Sequence, residues 1–344
     1  MIELTERQKI LLTLVIHDYI KTAQPVGSNH LVENYKLDMS SATVRNEMVA
    51  LTEMGYLRQP HTSAGRVPSE EGYRYFVSKL MNQSELPANT RRTISHQFYQ
   101  SPQEVEQWLK LAASILAHQS RGASLVTAPH PDQAHFKHLE LISIHGRQVL
   151  LVMVLAGGEV LQQLLTLAEP VSQDQLSNAA SHISRICHGA DLDTINSLNN
   201  QFDALEADVM EMVLNTMTRT QTLVAGEVYL DGLTNVLAEP EFAGADDARR
   251  ALHLLEERSL LENLLARTVM TSAVGGVQVL IGGEGTWDEL RQCSMVLARY
   301  GAPGLATGTL GVLGPMRMSY GHTISTVRYV AGLLSDLVSE TLSD

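Results

Sequence analysis

The sequence predicts a multidomain α+β protein with a winged helix-turn-helix unit at its N-terminus. In the first eighty residues, apolar spacing typical of helices gives way to short strand-like runs. Beyond them, strand-like runs alternate with helical segments, which favours α+β architecture. The length of 344 residues is that of about two domains, and the 44% of apolar residues excludes wholesale disorder.

A first helix is predicted from Thr5 to about Thr22. Thr5 and Gln8 have the spacing of a capping box. Pro25 disfavours helical backbone at the residue before it, so we expect a turn over 25–27. The apolar residues expected on the inner side of this helix are Ile10, Leu11, Leu14, Val15 and Ile16.

Two more helices are predicted before residue 55. Ser28 is expected to cap a short helix over 29–35, and Ser40 or Ser41 a longer one. Gly55 suits the position just after that longer helix. A short helix, a tight connection and a serine-capped helix favour a helix-turn-helix, although a plain three-helix bundle has the same order.

The residues on the surface of the third helix indicate that this helix contacts DNA bases. At about 100° per residue, Val44, Met48 and Leu51 share one face and are expected to pack inward. On the opposite face, Arg and Asn side chains match guanine and adenine edges, while Ala and Val suit thymine methyl groups. The residues predicted to face bases are Ala42, Thr43, Arg45, Asn46 and Val49.

A β-hairpin is predicted directly after this helix, with strands over 56–60 and 66–68. A hairpin in this place is typical of a wing. Ser69 is expected to cap a further helix over 70–81. The side chains predicted to hold phosphates or to enter the minor groove are Ser41, His61, Thr62, Ser63 and Arg66.

Charge is divided unevenly along the chain. The net charge is −13, yet residues 1–79 contain nine Lys and Arg and nine Asp and Glu. The whole acidic excess therefore lies beyond Lys79. Affinity for phosphate comes mainly from Lys and Arg, so this charge excludes a polybasic, sequence-blind DNA binder but not a protein that reads DNA through base contacts. Uneven charge is also common in soluble proteins.

The remaining chain is predicted to be an α+β domain split by a helical insertion. Residues 86–92 are expected to form a linker or the start of a helix. Strands are predicted over 123–128, 136–145, 147–155, 160–167, 278–281, 295–300 and 308–313, and helices over 103–120, 174–188, 202–222, 246–267 and 320–339.

No catalytic, cofactor or metal site is predicted. Four histidines lie within 130–145, but metal ligation usually adds converging carboxylates or thiolates, so surface and loop histidines are the simpler interpretation. Cys187 is interpreted as a packing residue. The glycine-rich 282–285 lacks the Lys-Ser/Thr of a phosphate loop and is predicted to be a turn. Gly308, Gly311 and Gly314 are expected to allow tight backbone packing. We therefore do not expect an enzyme.

The compartment predicted is the cytoplasm. Two distant cysteines exclude a disulfide framework and fit a reducing environment. The longest apolar run, 149–158, is far below the roughly 20 residues of a membrane-spanning helix. No basic-then-apolar leader is visible at the N-terminus, so neither secretion nor membrane association is expected.

The first eighty residues resemble the winged-helix domain of the heat-inducible transcription repressor family, HrcA. The most specific stretches are PVGS at 25–28, SATVRNEM at 41–48 and PHTSAGRVP at 60–68. Four stretches of the second half resemble the same family: YLDGL at 229–233, PEF at 240–242, VLIGGE at 279–284 and LGVLGPMRM at 310–318.

This resemblance implies a GAF-like α+β domain interrupted by a helical dimerisation insertion. It implies a homodimer that binds an inverted-repeat operator of chaperonin operons in double-stranded DNA. It also implies activation by the chaperonin GroEL, whose titration by unfolded protein during heat stress relieves repression. The expected domains are a DNA-binding domain at 1–82, a linker at 83–102, GAF-like parts at 103–170 and 226–344, and the insertion at 171–225.

Two other functions stay open. One is a small-molecule-responsive winged-helix regulator that uses the GAF-like domain as its sensor, since such domains often bind ligands. The other is a GAF-like enzyme or cofactor binder whose winged helix mediates protein contacts only. DNA retention by residues 1–80 alone would count against the second.

Overall fold

A computed structural model confirms the predicted α+β class. Two compact units can be distinguished: residues 1–127, 228–300 and 309–334 form the first, and 128–227, 301–308 and 335–344 the second. The residues that the structure describes are 4–62, 64–81, 85–101, 104–130, 135–156, 160–198, 202–222, 227–242, 250, 253–268, 273–282, 286–303 and 305–342.

The first unit begins with three helices and a two-stranded antiparallel hairpin, in the predicted order. The hairpin strands are shorter than predicted, because pairing is confined to two residues on each side. The elements are α1 (Glu6–Thr22), α2 (Ser28–Tyr35), α3 (Ser41–Glu53), β1 (Leu57–Arg58), β2 (Val67–Pro68), α4 (Glu70–Tyr75) and a π-helical turn over Phe76–Leu80.

Local capping explains where these helices begin. The Thr5–Gln8 capping box is present at α1, and Ser40, rather than Ser41, caps α3 by accepting from the Thr43 N–H. The prediction for Ser28 was wrong: it is the first residue of α2, and Gly27 occupies the cap without a side-chain bond. Ser69 caps α4 as predicted.

The apolar stripe of α1 differs from the prediction at three positions: Ile10 is exposed, Leu14 is only half-buried, and Leu12, which was not predicted, is buried. Leu11, Leu12, Val15 and Ile16 are buried, whereas Ile10 is 52% exposed. At about 100° per residue, Ile10 lies about 170° from the centre of the buried stripe. Leu12 takes the inward place that was assigned to Ile10.

The rest of the first unit is built on a five-stranded sheet with the order β7-β3-β10-β9-β8. Part of the predicted linker is helical, as α5. The remaining elements, which lie wholly or mainly in this unit, are α5 (Ala88–Gln100), α6 (Val105–Ser120), β3 (Ala123–Thr127), β7 (Val228–Asp231), α10 (Leu233–Leu237), a 3₁₀ turn (Pro240–Phe242), α11 (Arg258–Thr268), β8 (Val277–Ile281), a 3₁₀ turn (Asp288–Leu290), β9 (Cys293–Ala302), β10 (Ala306–Pro315) and α12 (Tyr320–Leu342).

The second unit packs helices against one face of an antiparallel sheet, β4-β5-β6. Gly146, at φ 58°, lies in the tight turn that joins β4 to β5. Helix α8 was not predicted. The elements are β4 (Phe136–His145), β5 (Gln148–Leu155), β6 (Val160–Thr166), α7 (Gln173–Cys187), α8 (Leu192–Ser197) and α9 (Ala204–Thr222).

The structure describes two of the predicted segments only in part. The single helix expected over 246–267 is interrupted at 257, and α11 starts at Arg258; residues 243–249, 251 and 252 lie outside the described part. The turn predicted at 282–285 is described only at Gly282, which has φ 65°.

Gly311 shows close packing: a Cβ there would lie 2.5 Å from the Leu297 Cδ2 atom.

Side chains of α4 join the N-terminal helices to the five-stranded sheet. The Tyr73 and Tyr320 ring centroids are 5.8 Å apart, and an Arg74 terminal nitrogen donates to the Ile281 carbonyl at 2.9 Å. The Tyr73 hydroxyl is buried without a hydrogen-bond partner among the described residues. Burial of this hydroxyl raises the pKa of Tyr73 well above its usual value.

Tyr73→Phe is expected to stabilise the protein by about 1 kcal/mol, because it removes a buried hydroxyl that forms no hydrogen bond. The matched control is Tyr300→Phe, since the buried Tyr300 hydroxyl donates to the Thr127 carbonyl at 2.5 Å. Its loss is expected to destabilise by about 1 kcal/mol. Urea or thermal unfolding of both variants measures the difference, and shifts of the same sign would contradict the assignment.

Candidate nucleic-acid interface

Three segments of the N-terminal region form one surface: the start of α2, the exposed face of α3 and the β1–β2 hairpin. Val26 and Arg66 form an antiparallel bridge with two N–H to carbonyl bonds of 2.8 Å. Only glycine fits at position 65, because a Cβ would lie 2.3 Å from the Val26 carbonyl oxygen. The bridge therefore fixes the hairpin beside α2.

The hairpin tip is held by Gln59. Its side-chain nitrogen donates to the carbonyls of Thr62, at 2.9 Å, and Ala64, at 3.1 Å. The side chains of His61 and Thr62 are exposed. Ser63, the remaining predicted tip residue, lies outside the described residues.

The outer face of α3 presents most of the residues predicted to face bases. Val44, Met48 and Leu51 are buried, as predicted. Thr43 is half-buried, and its hydroxyl lies 3.0 Å from the Ser40 hydroxyl, so it belongs to the helix cap. Ser41 is also half-buried. The residues that are exposed are Ala42, Arg45, Asn46 and, at 39%, Val49.

On α3 the cation Arg45 is exposed to solvent, whereas the acid Glu47 contacts side chains of α1. Arg45 is exposed and forms no ion pair among the described residues. Glu47 is half-buried and turned to α1, where the Gln8 side chain donates to it at 3.1 Å and Arg7 lies at 3.6 Å. The exposed acid of this helix, Glu53, lies at its last residue.

Arg66 connects the hairpin to α3. Its Nε donates to the Thr52 hydroxyl at 3.0 Å, so its side chain is half-buried rather than free at the tip. Between the hairpin and the helices lies a groove of about 290 Å³. The groove is lined by both predicted arginines, and also by Ser28, Asn29, Gln59 and Thr62.

Ser28, Asn29 and Gln59 were not among the predicted site residues. Asn29 and Ser28 follow the 25–27 turn at the start of α2, and Gln59 follows β1. One signal in the sequence could have identified Ser28 and Asn29: they are polar residues at a helix start, directly after the Pro-Val-Gly turn. Their approach to α3 depends on the Val26–Arg66 bridge, which no local pattern specifies.

A polar cluster around the buried Asp18 carboxylate joins α2 to α1. Asp18 is 7% exposed; His30 Nε2 lies 2.8 Å from one of its carboxylate oxygens and the Tyr35 hydroxyl 3.4 Å from the other. Burial, together with the Asp18 charge, raises the pKa of Tyr35. This cluster orients the two helices that precede α3.

The histidines and the cysteine considered in the sequence analysis belong to the second unit. His135 contacts the Gly189 carbonyl at 3.2 Å and His138 contacts Glu140 at 2.9 Å. Across the described ranges, no group of three or more His, Cys, Asp or Glu is arranged to hold a metal ion. Cys187 is buried in an apolar cluster, and burial raises its thiol pKa to about 11, so it is protonated at neutral pH.

Comparison with known proteins assigns the family. The family model described as HrcA protein C terminal domain matches residues 106–324. A heat-inducible transcription repressor HrcA from Roseiflexus castenholzii is 44% identical, with 98% of this chain and 95% of the relative covered. The chain belongs to the HrcA family. The HrcA relative from Herpetosiphon aurantiacus is also 44% identical, with coverages of 98% and 96%.

A solved structure shows that the fold has been observed experimentally. The crystal structure of a hypothetical protein at 2.2 Å resolution aligns with this HrcA family member at a TM-score of 0.60 and 20% identity. The alignment covers 98% of this chain and 100% of the other. In the part of the chain that the structure describes, no helix is long and apolar enough to cross a membrane.

Proposed function

We propose that this protein is a transcription repressor that reads double-stranded DNA through a winged helix-turn-helix at 1–82. In this proposal α3 is the recognition helix and the β1–β2 hairpin is the wing. The observation that carries the proposal is the outer face of α3, where Arg45 and Asn46 are exposed while Glu47 is held against α1. Such a face offers donors to base edges and little negative charge to repel phosphate.

Base contacts are proposed for the side chains on this face. Arg45 has the fork geometry for guanine, and Asn46 the donor and acceptor pair for adenine. Ala42 and Val49 offer apolar surface to thymine methyl groups. Thr43 shares its hydroxyl with the Ser40 cap, so its methyl group is the part we assign to bases.

Backbone contacts are proposed for Ser41, His61, Thr62, Ser63 and Arg66. Hydrogen bonds to phosphates fix the register of a protein on the duplex without reading sequence. The Nε of Arg66 is bound to Thr52, which orients the guanidinium along the groove and leaves its terminal nitrogens for a phosphate.

Arg45→Ala is expected to weaken binding to the cognate inverted repeat by about 1–3 kcal/mol, with a smaller loss on random DNA, because a base contact carries specificity. Fluorescence anisotropy at stated salt measures both affinities. Arg92→Ala is the control: it removes the same charge from an exposed position on α5.

Arg66→Ala is the companion variant. It is expected to weaken binding to cognate and to random DNA equally. It is also expected to lower the slope of log affinity against log salt concentration by about 1. Its thermal midpoint is compared with that of Thr52→Ala, which breaks the same hydrogen bond and keeps the cation. Equal losses on both DNAs for Arg45→Ala would overturn the assignment of Arg45 to a base.

We propose a homodimer that pairs through the outer face of the β4-β5-β6 sheet. The inner face packs on α7 and α9. On the outer face, Ile142 pairs across the strands with Leu150, and Leu150 with Leu164. Ile142, Ile144, Val160 and Leu164 are 42–57% exposed. A second copy can cover the same face by two-fold symmetry, which matches an inverted repeat.

Leu164→Asp is expected to shift the chain towards monomer and to weaken operator binding, because it places a charge in the apolar pairing face. Sedimentation or light scattering over a range of concentrations measures the shift. Leu237→Asp is the control, since Leu237 is 41% exposed on α10, outside this sheet. Unchanged self-association of the Leu164 variant would place the dimer contact elsewhere.

The domain assignment is proposed on the same basis. We assign the five-stranded sheet with α6 and α12 to the GAF-like domain, and the linker to 83–102. The insertion was predicted at 171–225; the compact second unit contains 128–227 together with 301–308 and 335–344. We therefore propose that the dimerisation insertion includes β4, β5 and β6.

We further propose that the chaperonin GroEL raises the fraction of repressor competent for the operator. The apolar outer face of β4-β5-β6 is the type of surface that a chaperonin captures before dimers form, and mass action on the helper then sets the active fraction. After mild heating and return, operator binding is expected to recover more fully with GroEL and ATP than without. Equal recovery would overturn this part of the proposal.

A further inference from the structure

We propose that a small phosphorylated molecule binds in a basic cavity between the end of α1 and the start of α12. The cavity has a volume of about 400 Å³ and lies within the first compact unit. Its wall includes Lys21 on the last turn of α1, Arg121 just after α6, and His322 on the first turn of α12. It is separate from the groove between α3 and the hairpin.

The charge of the cavity favours an anion. Lys21 and Arg121 form no ion pair among the described residues, although the chain carries a net charge of −13. Arg317 also lines the cavity, but it is bound by Glu239 and Glu241. Glu239 is the acid in the wall. Lys21 and Arg121 therefore supply the unpaired charge.

Neutral donors in the same wall point to an oxygen-rich ligand. Ser120 is one of the lining residues, and its hydroxyl oxygen is buried and has no hydrogen-bond partner in the described residues. Helix α12 spans Tyr320–Leu342 and starts at the cavity, where the first N–H groups of a helix lack intrahelical acceptors and attract phosphate. A phosphate at this place would be met by cations from two sides and by a helix start.

The size of the cavity indicates more than an inorganic ion. Its volume is within the range of about 300–1,000 Å³ that is typical of small-molecule sites. Ile20 and Met318 offer apolar surface, and Gln119 and Glu239 offer hydrogen-bonding groups, to the rest of the ligand. This composition fits an organic molecule that carries one phosphate or diphosphate.

Such a ligand would couple two parts of the first unit. It would join α1, which supports the proposed recognition helix, to α6 and α12, which flank the five-stranded sheet. Ligand bound to the folded protein would raise its thermal stability by mass action. An effect on operator affinity would follow only if the proposed DNA-binding role of 1–82 holds.

The test measures binding to the full chain without DNA, so that it is independent of the proposed function. The probes are inorganic pyrophosphate, adenosine monophosphate and adenosine, titrated by calorimetry and by thermal shift. Both phosphorylated probes are expected to bind at one site per chain and to raise the thermal midpoint, and adenosine to bind at least about tenfold more weakly.

Lys21→Gln and Arg121→Gln are each expected to weaken pyrophosphate binding about tenfold or more, whereas Arg92→Gln leaves it unchanged. Unliganded thermal midpoints verify that the variants fold. Pyrophosphate binding that is not saturable, or is insensitive to both variants, overturns the proposal. If both variants weaken operator binding while no probe binds, the cations contact DNA phosphates and the small-molecule site is refuted.

Discussion

The pairing of β3 on both of its edges is the constraint on which the architecture depends. All five of its side chains are buried, and it pairs antiparallel with β7 and with β10. Thr127, its last residue, accepts hydrogen bonds from the Tyr300 hydroxyl and the Thr309 N–H. The chain leaves this sheet after β3 and returns as β7, and residues 128–227, which connect the two strands in sequence, belong with 301–308 and 335–344 to the second unit.

The N-terminal region is organised by comparable polar constraints. The Val26–Arg66 bridge holds the hairpin, the Asp18 cluster orients α2, and Gln8 retains Glu47 at α1. Each of these contacts removes a polar group from the face of α3 or fixes a neighbour beside it. Arg45 stays exposed on α3 while Glu47 is held at α1, so the face proposed to read DNA carries little of the negative charge of the chain.

Strand and helix positions were predictable because they follow from local apolar period and capping. The bounds of β4 matched the prediction, as did the Thr5 and Ser69 caps. The predictions failed where local signals were balanced or where tertiary contacts decide the outcome. Ile10 was predicted to be buried in place of Leu12, Ser28 was predicted to cap α2, and the short helix α8 was not predicted. The domain boundaries and the site residues rest on the sequence resemblance and on the proposals above.

By itself, the sequence determined the α+β class, the family and the identity of the polar residues on α3, because periodicity and motif spacing are local properties of the chain. The tertiary structure decided which of those residues are available. Thr43 is drawn into the Ser40 cap, Arg66 is bound to Thr52, and Ser28, Asn29 and Gln59 join the groove. The Ser40–Thr43 contact is local, but the other two outcomes depend on contacts between residues far apart in sequence, which no local pattern encodes.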